Sequence, residues 1–242
     1  TGKLVGDEGV YKYHRWVERA LHNNMPYDDF ARQLLTGTGS TLANPPANFY
    51  RTSTDMNECV ETVSQVFLGA RLQCAKCHNH PFERWTQDNY YGLGAFFHRV
   101  QRRKTERPGE MFIYTSDSGD VTQPRTGQVM PPWLPVEGTI EPTDKNDHRK
   151  DFADWLVNPD NPYFARIEAN RIWSQVFARG IVEPIDDFRD SNPPANEPLL
   201  DALAKDLVES GYDRKHLVAP LFAHIALVGG SRHDELESLF AR

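Results

Sequence analysis

The sequence predicts a mainly α protein in which a small strand-rich insert separates two helical segments. Apolar residues recur at helical spacing up to about His98, lose that spacing between Arg99 and Glu141, and regain it from Asp147 onward. These changes divide the chain into residues 1–98, 99–145 and 146–242.

In the first segment a stripe of Val10, His14, Val17 and Leu21 predicts a helix closed by Asn23-Asn24 and Pro26. Asp28 or Asp29 is placed to cap a short helix built on Phe30, Ala31, Leu34 and Leu35, with Gly37 ending it. Residues 38–53 read as loop, because Pro45-Pro46 bars a helix. Asp55 to Leu72 carries Met56, Val60, Val63, Phe67 and Ala70 on one helical face, and Cys74 continues that stripe at the helix end. Thr86 is a good N-cap, with Trp85 and Tyr90 at the two positions of a hydrophobic staple, for a helix running to about His98.

In the insert, Met111-Phe112-Ile113-Tyr114 is a strand candidate and residues 117–120 hold turn formers. Pro124-Arg125-Thr126-Gly127 and Pro131-Pro132 fit a twisted hairpin or extended ribbon. Beyond it, Phe152, Trp155 and Leu156 mark a helix that stops before Pro159. Asn161-Pro162 is a helix start, followed by Ile167, Ile172, Trp173 and Phe177, with Gly180 as the stop. Pro198 opens a further helix with Leu200, Leu203 and Leu207 on one face and Gly211 closing it. Pro220 leaves Leu217 to Val228 as a straight or a kinked helix.

The composition is 39% hydrophobic and 11% aromatic, enough to build a core. A net charge of -7 argues against nucleic-acid and anionic-membrane partners, which favour basic faces. No apolar run approaches the roughly 18 residues of a membrane helix. The chain opens at Thr1 without a signal-like segment and reads as an excised or processed piece.

Chemistry concentrates at Cys74-Ala75-Lys76-Cys77-His78, a C-x-x-C-H run. This is the pattern of c-type haem attachment: two thiols meet the two vinyl groups of one porphyrin, and the adjacent imidazole becomes an axial ligand of the iron. The chain has only three cysteines, so two of them at this spacing beside a histidine is a specific signal. A buried thiol pair, a redox dithiol and a zinc site are the other uses of such a pair. With Asn79-His80-Pro81-Phe82 the run extends to C-x-x-C-H-x-H-P-F, and Cys74, Cys77, His78 and His80 together form a zinc-like donor set. Four ligands within seven residues would have to wrap an ion with little help from the fold. In the haem reading His78 is the proximal ligand and His80 tunes the edge of the pocket. Cys59 lies about four helical turns before Cys74 and reads as a lone core thiol.

Val66 to Phe82, with Trp85-Thr86-Gln87 and Tyr90-Tyr91-Gly92-Leu93, resembles the planctomycete cytochrome-type domain family of unknown function. Asn161 to Arg166, Asn170-Arg171-Ile172-Trp173, Gly180, Asp186-Asp187-Phe188 and Asn192-Pro193-Pro194 resemble the domain that usually follows it. The resemblance spans about Tyr27 to His216 and implies a helical, cytochrome-like first segment within large exported proteins that often carry other haem or carbohydrate-binding modules. Against that pattern, the upstream helix expected of the first domain is absent and the second domain stops soon after it begins.

Asp186-Asp187 reads as a structural or solvated pair. Arg166, Asn170 and Arg171 read as partners of Asp186 or Asp187 that tie a helix to a loop, ahead of a clamp on a haem propionate. Met111, Met130, His98 and His14 are the available side chains for the sixth iron position. No Ser/His/Asp order, Gly-rich phosphate loop or H-E-x-x-H run appears. The expected function is a c-type haem electron-transfer module of a periplasmic or extracellular multidomain protein, rather than a stand-alone enzyme. A redox protein or other domains of the same polypeptide would be its partners. The alternative is a structural or interaction module with a zinc-like Cys/His site and no haem.

Overall fold

Helix α1 (Asp7–His22) leads into α2 (Tyr27–Thr36) in the computed structural model, which describes residues 7–81 and 83–228. Asn24 takes the left-handed backbone that ends α1, as its Asn-Asn-x-Pro tail predicts. Neither Asp28 nor Asp29 caps α2. Both lie inside its first turn, after Pro26, where acidic side chains favour the helix dipole. Residues 38–53 are more regular than the expected loop. They hold β1 (Gly39–Ser40), a 3-10 helix (Pro45–Asn48) and α3 (Phe49–Thr52). The two prolines sit in the first turn of the 3-10 helix, where their missing N–H groups cost nothing.

Helix α4 (Met56–Phe67) is capped by Asp55, whose carboxylate accepts the Glu58 amide, and α5 (Gln87–Gly94) by a full Thr86/Asn89 capping box. Both helices end before their expected limits, α4 at Phe67 and α5 at Gly94. The insert supplies β2 (Val100–Lys104) and β3 (Met111–Thr115), which join β1 of the first segment in a three-stranded antiparallel sheet of order β1-β3-β2, with Gly39 of β1 opposite Ile113. Two small hairpins follow, β4 (Val121–Thr122) with β5 (Val129–Met130) and β6 (Trp133–Leu134) with β7 (Gly138–Thr139). The Arg102 guanidinium on β2 donates to the Tyr50 and Ser53 carbonyls and so fastens the sheet to the first segment.

The second helical segment comprises α6 (Arg149–Leu156), α7 (Phe164–Phe177), α8 (Glu197–Glu209) and α9 (Arg214–Val228). Asn161 caps the turn before α7 by accepting the Tyr163 and Phe164 amides at 2.9 and 3.1 Å. The left-handed stop of α7 falls on Ala178, not Gly180. Gly180 is needed for packing, because a Cβ there would stand 2.2 Å from the Val182 carbonyl oxygen. Pro220 is accommodated inside α9. Expectations for residues 229–242 and Phe82 lie outside the described residues.

One hydrophobic core draws on both helical segments. Tyr27 of α2 stacks on Phe164 of α7 with ring centroids 4.7 Å apart, and Phe67 of α4 packs against the same ring. The mainly α architecture with a small strand-rich insert is therefore the one its periodicity predicts.

Candidate functional site

The C-x-x-C-H run does not extend a helix. The amides of Leu68 and Ala70 both turn back to the Ser64 carbonyl at 3.0 Å, and Gly69 between them adopts φ +59. An added Cβ at Gly69 would lie 2.8 Å from Phe188 Cδ2, and the Gly69 carbonyl accepts the Phe188 amide at 2.8 Å. This close approach requires glycine and breaks the continuous helix expected from Asp55 to Leu72. Gly69 itself was the available stop signal.

The motif folds instead as a separate 3-10 helix (Gln73–Lys76). Leu72 and Ala75 are buried and anchor it, while Cys74, Cys77 and His78 are exposed. The amides of Cys77 and His78 both donate to the Cys74 carbonyl at 3.4 Å. Cys74 lies within the 3-10 helix and Cys77 caps it, which puts their Cα atoms roughly 6 Å apart, three rises of about 2 Å. Both thiols are free. His78 Nδ1 lies 2.7 Å from the Asn79 carbonyl oxygen. A carbonyl only accepts, so Nδ1–H is the donor in this contact, and Nε2 is the nitrogen turned away from it.

The floor of the turn is polar and fully engaged. The buried Gln87 side chain donates to the Lys76 carbonyl at 3.0 Å, and its backbone amide donates to Asn79 Oδ1 at 3.0 Å. Tyr91 adds its hydroxyl to the same carbonyl at 3.2 Å. Lys76 reaches Glu61 at 3.7 Å, and Glu61 accepts the Tyr90 hydroxyl at 3.3 Å. Burial, with Glu61 beside it, pushes the Tyr90 phenol far above its ordinary pKa and keeps it a donor.

A cleft of about 250 Å³ opens beside Cys74. Ala70, Arg71, Gln73, Cys74, His80, Glu83 and Trp85 line one side, and Asp187, Phe188 and Arg189 the other. His80 therefore sits at the edge of the site, with its backbone amide bonded to the Trp85 carbonyl at 2.8 Å. Cys77 and His78 do not line the cleft.

The expected pairing of Arg166 and Arg171 with Asp186 or Asp187 is not what forms. Arg166 turns to Glu197 and Asp201 at 3.3 Å each, and Arg171 to Glu168 at 3.5 Å and to the Val66 carbonyl. Arg71 takes Asp186 at 2.5 Å, joined by Gln65, and Arg189 takes Asp187 at 3.0 Å. Arg71 leaves α4's exit facing the 184–189 loop, whereas Arg166 faces α8; the register of the helices decides the partner. Partial burial would raise the Asp186 carboxyl, but the bonds from Gln65 and Arg71 outweigh it and lower its pKa. Asn170 does tie α7 to that loop and to the chain leading into it, donating to the Ile185 and Val182 carbonyls at 3.4 and 3.0 Å and accepting the Val182 amide at 2.9 Å.

Met111 lies on β3, Met130 on β5, His14 on α1 and His98 just after α5, and none of them lines the cleft. Among the described residues, no three Cys, His, Asp or Glu side chains converge as a metal site, so Cys74, Cys77, His78 and His80 are not gathered around one point.

Residues 5–102 match the family model PSCyt2, a protein of unknown function (DUF1549), and residues 148–223 match PSD1, a protein of unknown function (DUF1553). The two matches follow one another in N-to-C order, the pair that the motif residues resemble. Residues of both matched regions line the cleft. No curated protein and no solved structure matches the chain. No helix among the described residues is long and apolar enough to cross a membrane.

Proposed function

We propose that this chain, in which a PSCyt2 match precedes a PSD1 match, is a c-type haem electron-transfer module of an exported multidomain protein. The observation that carries the reading is the exposed 3-10 turn that holds Cys74 and is capped by Cys77, followed at once by His78, whose Nδ1 faces the Asn79 carbonyl.

The donor set fits covalent attachment. Cys74 and Cys77 would form the two thioethers, and His78 Nε2 would be the axial ligand. When bound, haem supplies a one-electron couple. The chain's own part is to hold the thiol-bearing turn rigid through Leu72, Ala75 and the bonds to the Lys76 carbonyl, and to orient the imidazole through Asn79. The adjoining cleft, at about 250 Å³, is smaller than the roughly 300–1,000 Å³ of small-molecule pockets, so it would not enclose a macrocycle. Such an exposed group suits exchange of electrons with a docked protein or a neighbouring domain.

Expression in a periplasm with haem-ligating machinery tests this. The expected product stays red after acid-acetone extraction; His78→Ala loses the normal Soret band, and His80→Ala shifts potential or stability modestly. A colourless product of unmodified mass, beside a working control cytochrome, sinks the reading. The second reading, a zinc-like Cys/His site, draws support from Cys74 and His80 sharing one cleft. In that case zinc is retained by the parent, and both His78→Ala and His80→Ala release it.

A further inference from the structure

We infer that the strand-rich insert is a clamp on the C-x-x-C-H turn, acting through Gln123 and Gln87 as positioning residues. Gln123 follows β4 and is 1% exposed; Gln87 opens α5 and is 4% exposed. The Gln123 side-chain amide donates to Gln87 Oε1 at 3.1 Å and to Asp88 Oδ1 at 3.2 Å. Its own oxygen accepts the amides of Arg125 and Thr126 at 2.7 and 2.8 Å, which closes the β4–β5 turn. Gln87 then passes the constraint on, donating to the Lys76 carbonyl at 3.0 Å, one peptide bond before Cys77. A continuous line of hydrogen bonds thus runs from the insert's turn to the backbone that carries Cys77 and His78.

A second contact reinforces the first. Trp133 of β6 meets Trp85 edge-on, with centroids 6.3 Å apart, and Trp85 lines the cleft beside Cys74. Trp133 also lies so close to α5 that a Cβ added at Gly92 would stand 2.6 Å from its Cβ. Anchoring alone would need only apolar contacts. A relay of two buried amides specifies direction as well, because each carries the full desolvation penalty if its partner moves away. The insert therefore sets where the second thiol and the imidazole stand, and does more than cover the surface. What this does for haem rests on the attachment reading; the geometry of the thiols does not.

The test uses the full chain without haem. Gln123→Glu keeps the acceptor for Arg125 and Thr126 but removes the donor and sets a carboxylate against Asp88. Gln87→Glu removes the donor to Lys76. Iodoacetamide alkylation of Cys74 and Cys77, resolved by peptide mass spectrometry, is measured beside the unfolding midpoint. Leu207→Ala on α8 supplies a destabilised control away from the insert. Both glutamate variants are expected to change the Cys77-to-Cys74 rate ratio by about fivefold, the effect of one net hydrogen bond, while the control leaves it unchanged. An unchanged ratio in folded variants overturns the clamp. If neither variant folds, hydrogen exchange of the parent decides: the amides of Cys77 and His78 should open with those of the 123–128 turn, sharing one denaturant slope, and separate slopes overturn the proposal. If the product of the haem-ligating host is colourless while the thiol ratio of the haem-free chain responds to Gln123→Glu, the haem reading falls and the clamp stands.

Discussion

Cys59 and Cys74 belong to consecutive stretches of chain, yet their surroundings make one thiol inert and leave the other open. Cys59 is 1% exposed on the inner face of α4, with its Sγ 3.6 Å from the Ser53 carbonyl, and burial pushes its pKa up to about 12. Nearby, the fully buried Arg149 makes two 2.7 Å bonds to Asp147 and lies 4.9 Å over the Tyr50 ring. Polar groups there are matched to one another and kept from solvent. The C-x-x-C-H turn reverses that arrangement: Leu72, Ala75 and Gln87 are buried so that Cys74, Cys77 and His78 can face outward. A residue's chemistry in this fold follows from the elements beneath it more than from its type.

Four measurements test that contrast. The largest effect is expected in the core. Arg149→Ala leaves Asp147 buried and uncompensated and should cost about 3–5 kcal/mol in urea denaturation. A cost below about 1 kcal/mol, as for a surface pair, would deny that the core depends on internal matching. Next, Gly69→Ala forces a left-handed alanine and should cost about 1–2 kcal/mol before any clash with Phe188. It should also accelerate alkylation of Cys74, since Phe188 shares the cleft. An unaltered midpoint would show that the break after α4 is not set by this glycine.

The third measurement uses pH. The Cys59 thiol is raised from its ordinary 9.0 to about 12, so between those values the unfolded chain loses a proton that the folded one keeps. Its contribution to stability is complete below pH 9.0 and is lost as pH rises toward 12, with a slope of up to about 1.4 kcal/mol per pH unit. Tyrosines with raised pKa add to the loss higher up, so the difference between the parent and Cys59→Ala between pH 9 and 10 isolates the thiol. Equal slopes in both proteins would contradict its burial. The smallest effect belongs to the surface: Asp186→Asn, opposite an Arg71 side chain that is 50% exposed, should cost less than about 1 kcal/mol and less still in high salt.

Much of the fold was legible because its causes are local. Thr86 and Asn89 close a capping box within four residues, Met111 to Tyr114 alternates in burial as a strand should, and α2 and α4 bury most of the stripes their spacing announces. By contrast, α7 buries Ile167 and Ile172 but only half-buries Trp173 and Phe177, and α8 buries Leu200 and Leu207 but not Leu203. Proline rules were read too strictly at Pro45-Pro46, since a first turn tolerates what a helix interior does not. Within the site, the motif and the role of Cys59 could be read from spacing alone.

The order of residues alone specifies which side chains are chemically able, because C-x-x-C-H puts two thiols and an imidazole within five residues of chain. It also determined the helical segments and the loss of helical period in the insert, since caps and stripes act over one or two turns. Tertiary structure alone decided the partners. Arg71 meets Asp186 across 115 residues, and Gln123 meets Gln87 across 36. Each depends on how helices and hairpins are oriented once the shared core has formed. Hydrogen bonds and ion pairs reach only a few ångströms, so which charge or amide finds which is settled by packing, and no short-range pattern in the chain encodes it.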